Sequence, residues 1–128
     1  MMDIKISNMS SVPIYQQVAT QIKSSILNGS LKCNDQLPSI RSLSKELEVG
    51  IITVKKSYEV LLQEELIYSK GAVGYFVNDI DLATVLSIKK EEYLVELKGI
   101  IDNAINDGLN IEDIKDIVDR VLEEKNLW

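Results

Sequence analysis

Side chains able to hold an anion gather in one part of this chain: Ser39 and Arg41, then Thr53, Lys55 and Lys56, with Lys70 further on. Hydroxyl, guanidinium and ammonium groups are donors, and donors placed at helix starts hold phosphates or the acceptor edges of bases. Groups suited to catalysis are scarce. The chain has no histidine, its one cysteine is Cys33, and no glycine-rich phosphate loop is present. A lone thiol without an imidazole makes neither a disulfide, a zinc site nor an activated nucleophile, and no serine has an evident base beside it. Binding is therefore expected rather than enzymatic turnover, with no metal and no cofactor. Each candidate also has a plainer reading. Ser39 can simply cap a helix, Arg41 can sit in a surface ion pair, and Lys55 and Lys56 can line a solvated helix face.

Such donors matter only if helices present them, and the apolar spacing supplies those helices. Ile14, Val18, Ile22 and Ile26 recur four apart, flanked by Tyr15, Ala19 and Leu27, which predicts a helix entered at Pro13 and ended by Asn28-Gly29. Residues 31–37 are short and polar, with Asn34-Asp35 as a turn signal, and Pro38 blocks helix from continuing through them. Ser39 is then the N-cap of a short helix marked by Ile40, Leu43 and Leu47 and running to about Glu48. After the Val49-Gly50 break, Val54, Tyr58, Leu61 and Leu62 predict another helix from about Ile52 to Glu64. Two short helices joined by a tight turn form a helix-turn-helix. Residues 66–70 and 75–77 are rich in β-formers around Gly71-Ala72-Val73-Gly74, the pattern of a hairpin wing. Tyr58, Tyr75 and Phe76 are expected in the core.

The remainder of the chain is of a different kind. Leu86, Leu94, Leu97, Ile101 and Ile105 stripe a helix of about 25 residues ending near Gly108. Asn110 and Asp113 then mark the start of a last helix, striped by Ile114, Ile117, Val118, Val121 and Leu122 and reaching toward Trp128. A long helix gains little unless its apolar face is buried, so a partner subunit is the expected cover, with Leu86, Leu94, Leu97, Ile101, Ile105, Ile114, Ile117 and Val121 as the pairing residues. Glu112, Asp113, Asp116 and Asp119 are expected on an outward, solvated face rather than around a metal.

Charge divides at the same place. Residues 1–80 hold eight basic and eight acidic side chains, whereas residues 81–128 hold six against twelve, so the net charge of -6 lies in the tail. The expected fold class is mostly α with a small β wing: a winged helix-turn-helix over residues 1–80 and a two-helix dimerisation tail over 81–128. With 45% hydrophobic and 27% charged residues the chain is expected to fold. No apolar run approaches a membrane span and the start lacks the pattern of a signal peptide, so the cytoplasm is the expected location and no membrane partner is expected.

Four blocks in order, Pro13-Ile14-Tyr15-Gln16-Gln17, Leu37-Pro38-Ser39-Ile40-Arg41, Thr53-Val54-Lys55 and Gly74-Tyr75-Phe76-Val77, resemble the GntR family of bacterial regulators. Most of that family append a long ligand-binding or aminotransferase-like domain, which the residues after Ile80 cannot hold. The two-helix tail looks like the short-tailed YtrA-type branch. The resemblance implies a homodimeric transcription regulator, in the main a repressor, on a palindromic DNA operator, in many cases of a transporter operon. It assigns DNA contacts to Ser39, Arg41, Thr53 and Lys55, and the wing to Gly74. Lys56 and Lys70 are further candidates by position in the motif. A small-molecule effector is left open.

Departures from the family pattern are as informative. Ile51 stands where the family usually has arginine and either touches a thymine methyl or packs. The wing's usual Gly-basic-Gly is reduced to Ala72-Val73-Gly74, leaving Lys70 as the nearest cation. Glu48 and Glu65 replace helix-end glycines, so those ends are expected to be reshaped, since a left-handed residue with a Cβ costs roughly 1 kcal/mol or more. Gly50 in place of serine and Asn34 in place of glycine are milder changes. These departures, with the acidic tail, keep a second reading open: a protein-interaction module on a winged helix with degenerate DNA contacts.

Overall fold

A computed structural model describes residues 3–126. Its elements run α1 (Ile14–Leu27), α2 (Ile40–Leu47), α3 (Ile51–Gln63), β1 (Ile67–Ser69), a 3-10 turn (Gly71–Val73), β2 (Tyr75–Val77), α4 (Leu82–Asn106) and α5 (Ile111–Asn126). The chain is mostly helical with one two-stranded antiparallel sheet, and it divides into two compact units, one up to Leu82 and the other from Ala83.

In the first unit α1 starts where Pro13 supplies a pre-set φ of -56° and its carbonyl accepts from the N–H groups of Gln16 and Gln17. The four-residue spacing puts Val18, Ala19, Ile22 and Ile26 on one buried face. That face packs on α3, whose own buried side chains are Val54, Ser57, Tyr58 and Leu61. Ser57 sits in this contact without penalty because its hydroxyl donates to the carbonyls of Tyr15 at 2.9 Å and Thr53 at 3.1 Å. Leu43 of α2, Leu37, Leu66, Ile67 and Val77 complete the core.

Residues 3–13 form neither helix nor strand, yet they are held in place. Gln21 accepts from the N–H of Lys5 and donates to its carbonyl, and Gln17 does the same for Ser7. Each amide thus pairs with both main-chain groups of one residue, as a neighbouring strand would, and Ile4 and Ile6 pack against the core.

The hairpin pairs Ile67 with Val77, Tyr68 with Phe76 and Ser69 with Tyr75. Residues 34–37, read from sequence as part of a plain polar turn, lie along the free edge of β2. Asn34 N–H donates to Val77, Val77 N–H to Asp35 and Leu37 N–H to Tyr75, with a bridge between Gln36 and Phe76. This protects an edge that would otherwise present unpaired backbone groups. Strand alternation places Tyr75 and Val77 toward the core and Phe76 on the other face. Phe76, expected in the core, is therefore half-buried and stacks on Tyr68 at 5.6 Å between ring centroids.

Two helix ends expected to be reshaped are not. Glu48 adopts φ 56° and Glu65 φ 60°, both left-handed, as does Asn34 at 68°. The Glu48 and Val49 N–H groups still close onto the last turn of α2. The chain keeps the turn geometry and bears its conformational cost.

In the second unit Asn110 and Asp113 form a reciprocal capping box, Asp113 N–H donating to Asn110 Oδ1 at 2.9 Å and Asn110 N–H to Asp113 Oδ2 at 3.0 Å. Glu112 and Asp113 also oppose the positive end of α5. Glu112 pairs with Lys115 and Asp116 with Arg120 across successive turns. No described residue of α4 or α5 is buried. Trp128, toward which the last helix was predicted to run, lies outside the described residues.

Candidate nucleic-acid interface

The first turn of α2 is built by its cap. Ser39, at φ -62° and ψ 157°, accepts from the N–H of Ser42 at 3.0 Å. Capping uses a lone pair and leaves the hydroxyl proton free to donate, so the cap and an anion contact are compatible. The turn is anchored from beneath by Tyr58, fully buried on α3, whose hydroxyl donates to the Pro38 carbonyl at 2.7 Å. The same ring meets Tyr75 of the wing edge-on at 5.0 Å. Burial raises the Tyr58 phenol above its ordinary pKa, and Tyr75 adds to the shift. One neutral side chain thus ties together the entry to α2, the body of α3 and the wing.

Arg41 is exposed, as are Lys55 and Lys70, and none of the three makes an ion pair among the described residues. The plain reading of Arg41 as a surface ion pair is not what the structure shows. On α3, Gly50 is the N-cap and supplies no side-chain bond. Because Val54, Ser57, Tyr58 and Leu61 face inward, the helix turns Ile51, Ile52, Lys55 and Glu59 outward, with Thr53 half-buried beside them. Lys56 is placed differently. Its ammonium lies 4.1 Å from the centre of the Tyr15 ring, a cation–π contact that holds it against α1 and away from the edge that Lys55 occupies.

Gly74 has a conformational duty that sequence reasoning did not separate from a binding one. Its φ of 134° suits glycine alone, and a Cβ there would stand 2.9 Å from Gln36 Nε2. That amide donates to the carbonyl of Val73 at 3.0 Å, which fixes the wing tip to the segment leading into α2. Gln36 was missed from sequence; an amide in a polar stretch carries no periodicity to mark it. Lys70 closes the tip by donating its N–H to the Gly74 carbonyl, and its side chain is the cation nearest the wing.

This frame of three helices and a hairpin spans residues 14–77, and over those residues the chain matches the bacterial regulatory proteins of the gntR family. The chain belongs to the gntR family. Its similarity to the HTH-type transcriptional repressor YtrA of Bacillus subtilis (strain 168) extends through the tail, with 30% identity over 118 residues, 92% of this chain and 91% of YtrA. A transcriptional regulator from Oenococcus oeni is 29% identical, covering 91% of this chain and 97% of its own, at a TM-score of 0.72. AraR(DBD) in complex with operator ORE1 is 27% identical over 59% of this chain and 92% of its own, at a TM-score of 0.51. By contrast the chain spans 31% of the HTH-type transcriptional repressor NagR of Bacillus subtilis (strain 168), at 33% identity. Among gntR proteins it is YtrA-like, its similarity to YtrA running through both of its units.

Proposed function

We propose that this gntR protein is a sequence-specific repressor that grips a two-fold operator as a homodimer in the cytoplasm. The observation that carries the reading is the set of exposed, unpaired cations, Arg41, Lys55 and Lys70, on a helix-turn-helix whose elements are cross-tied beneath them. Phosphate contacts position such a domain and base-edge contacts specify the sequence. Arg41 and Ser39 at the start of α2 act on phosphate or a guanine edge, Thr53 and Lys55 enter the major groove on α3, and Lys70 and the Gly74 turn bring the wing to the backbone. Lys56 contributes charge from the α1 side. Because the 1–80 half is electrically neutral, affinity rests on these placed donors rather than on a diffuse positive field. On the family resemblance, the controlled genes form a transporter operon.

Pairing is assigned to the tail, where Leu86, Leu94, Leu97, Ile105, Ile117 and Val121 are exposed and Ile101 and Ile114 half-exposed in the single chain. A surface of that apolar content needs a cover. A second reading, a protein-interaction module, draws on the same exposure at Ile51 and Ile52 and on the acidic pI near 4.7. It requires that DNA be bound without sequence preference, if at all.

Selection of random duplexes by the full-length protein separates the two. The repressor reading predicts enrichment of a palindrome whose half-sites lie about one helical turn apart, roughly 34–36 Å. Arg41→Ala removes one contact from each half-site and so weakens binding to that palindrome by at least roughly 5- to 150-fold, the range of a single good base contact, with the dimer intact. Failure to enrich any sequence contradicts the proposal, and an Arg41→Ala protein that binds normally shows the assigned surface to be wrong.

A further inference from the structure

The first turn of α3 presents an apolar edge that lies outside the hydrophobic core of its own domain. Ile52 is 82% exposed and Ile51 46% exposed, while the buried side of the same helix is completed by Val54, Ser57, Tyr58 and Leu61. Both residues are β-branched and helix formation gains little from them there. Ile52 shares its face with Lys55, one turn further on, whose ammonium is free of ion pairs among the described residues. In a docked helix-turn-helix this turn lies against base edges.

We infer that Ile52, flanked by Ile51, reads thymine through its C5-methyl group. This rests on the proposed role of α3 in the major groove and specifies what it recognises there. Thymine alone among the four bases offers an apolar group in that groove. An isoleucine set against it removes both hydrocarbon surfaces from water. Set against the amino group of cytosine or the O6 of guanine, the same side chain strips water from a polar atom and returns no hydrogen bond. Discrimination thus comes from attraction to the methyl and from exclusion of the other edges together. Lys55 beside it is a donor for the neighbouring phosphate or guanine, so the half-site carries one or two thymines next to the position Lys55 contacts.

Deoxyuridine pairs as thymidine does and lacks only the methyl. In the palindrome enriched by the full-length protein, each thymidine of a half-site is replaced singly by deoxyuridine and binding is measured by anisotropy. At one or two positions affinity falls about fourfold, the effect of withdrawing one buried methyl. Ile52→Ala binds the thymidine duplex more weakly, and at those positions its preference for thymidine over deoxyuridine drops to about onefold. Its exposure means the substitution leaves the fold unchanged, which the melting temperature checks. Enrichment of a palindrome that is insensitive to every deoxyuridine, or a preference that survives in Ile52→Ala, overturns this inference and leaves the repressor reading standing. Failure to enrich any sequence overturns both. A change of oligomeric state in Ile52→Ala without DNA would make the edge a protein contact and overturn the inference as well.

Discussion

At Tyr58 a single hydroxyl, donated to the carbonyl of Pro38 at 2.7 Å, joins the body of α3 to the entry of α2. Tyr58→Phe removes that bond and leaves a carbonyl unpaired, so the domain should lose about 1–2 kcal/mol of stability in urea unfolding. The pH dependence adds a signature. Unfolded, this phenol ionises near its ordinary 10.0, whereas burial keeps it protonated to higher pH in the fold. Above about pH 10 the unfolded state therefore binds fewer protons than the folded one, and stability falls by up to about 1.4 kcal/mol per pH unit from this group. Between pH 10 and 11 the wild type should lose stability more steeply than Tyr58→Phe, with the lysines common to both. Equal slopes would contradict the burial argument. The reading of individual residues from sequence succeeded where a motif fixed their place, as for Ser39 at its cap. It failed for Gln17, Gln21 and Gln36, because a side-chain amide that pairs with a distant main chain has no spacing to reveal it.

Elements were legible to within about two residues wherever burial imposed a period, as in α1 and α3. Residues 34–37 were not, since a four-residue polar edge segment has neither the length nor the alternation of a strand. The helix ends at Glu48 and Glu65 show local propensity giving way to tertiary packing: Glu65 sits in the αL region while its carbonyl accepts from Asn78 Nδ2 and the next N–H closes onto Leu61. Such positions store removable strain. Glu48→Gly and Glu65→Gly should each stabilise the domain by about 0.5–1 kcal/mol, the relief of the Cβ conflict less the added flexibility of the unfolded chain. Thermal melting reads this as a rise of a few degrees per substitution. Unchanged or lowered melting temperatures would mean that the glutamate side chains contribute something that offsets the strain.

For the whole molecule, the stripes of the tail were plain in the sequence, whereas what covers them was not, because an apolar face specifies burial and not the partner. The described tail leaves Leu97 47% exposed and Ile105 49% exposed. If a second copy supplies the cover, Leu97→Asp combined with Ile101→Asp should shift sedimentation from dimer to monomer and weaken operator binding at least about tenfold, since a single half-site must then suffice. A dimer that persists in this variant would place the pairing surface elsewhere. The central claim, specific DNA binding by placed cations, is met most directly by fluorescence anisotropy of the full-length protein on the enriched palindrome and on a scrambled duplex of the same composition, over a range of salt. If Arg41, Lys55 and Lys70 of each subunit all displace counterions, binding is tighter to the palindrome, with a slope of about -5 in log affinity against log salt for the dimer. Equal affinity for the two duplexes at every salt concentration, or a slope near zero, would contradict it.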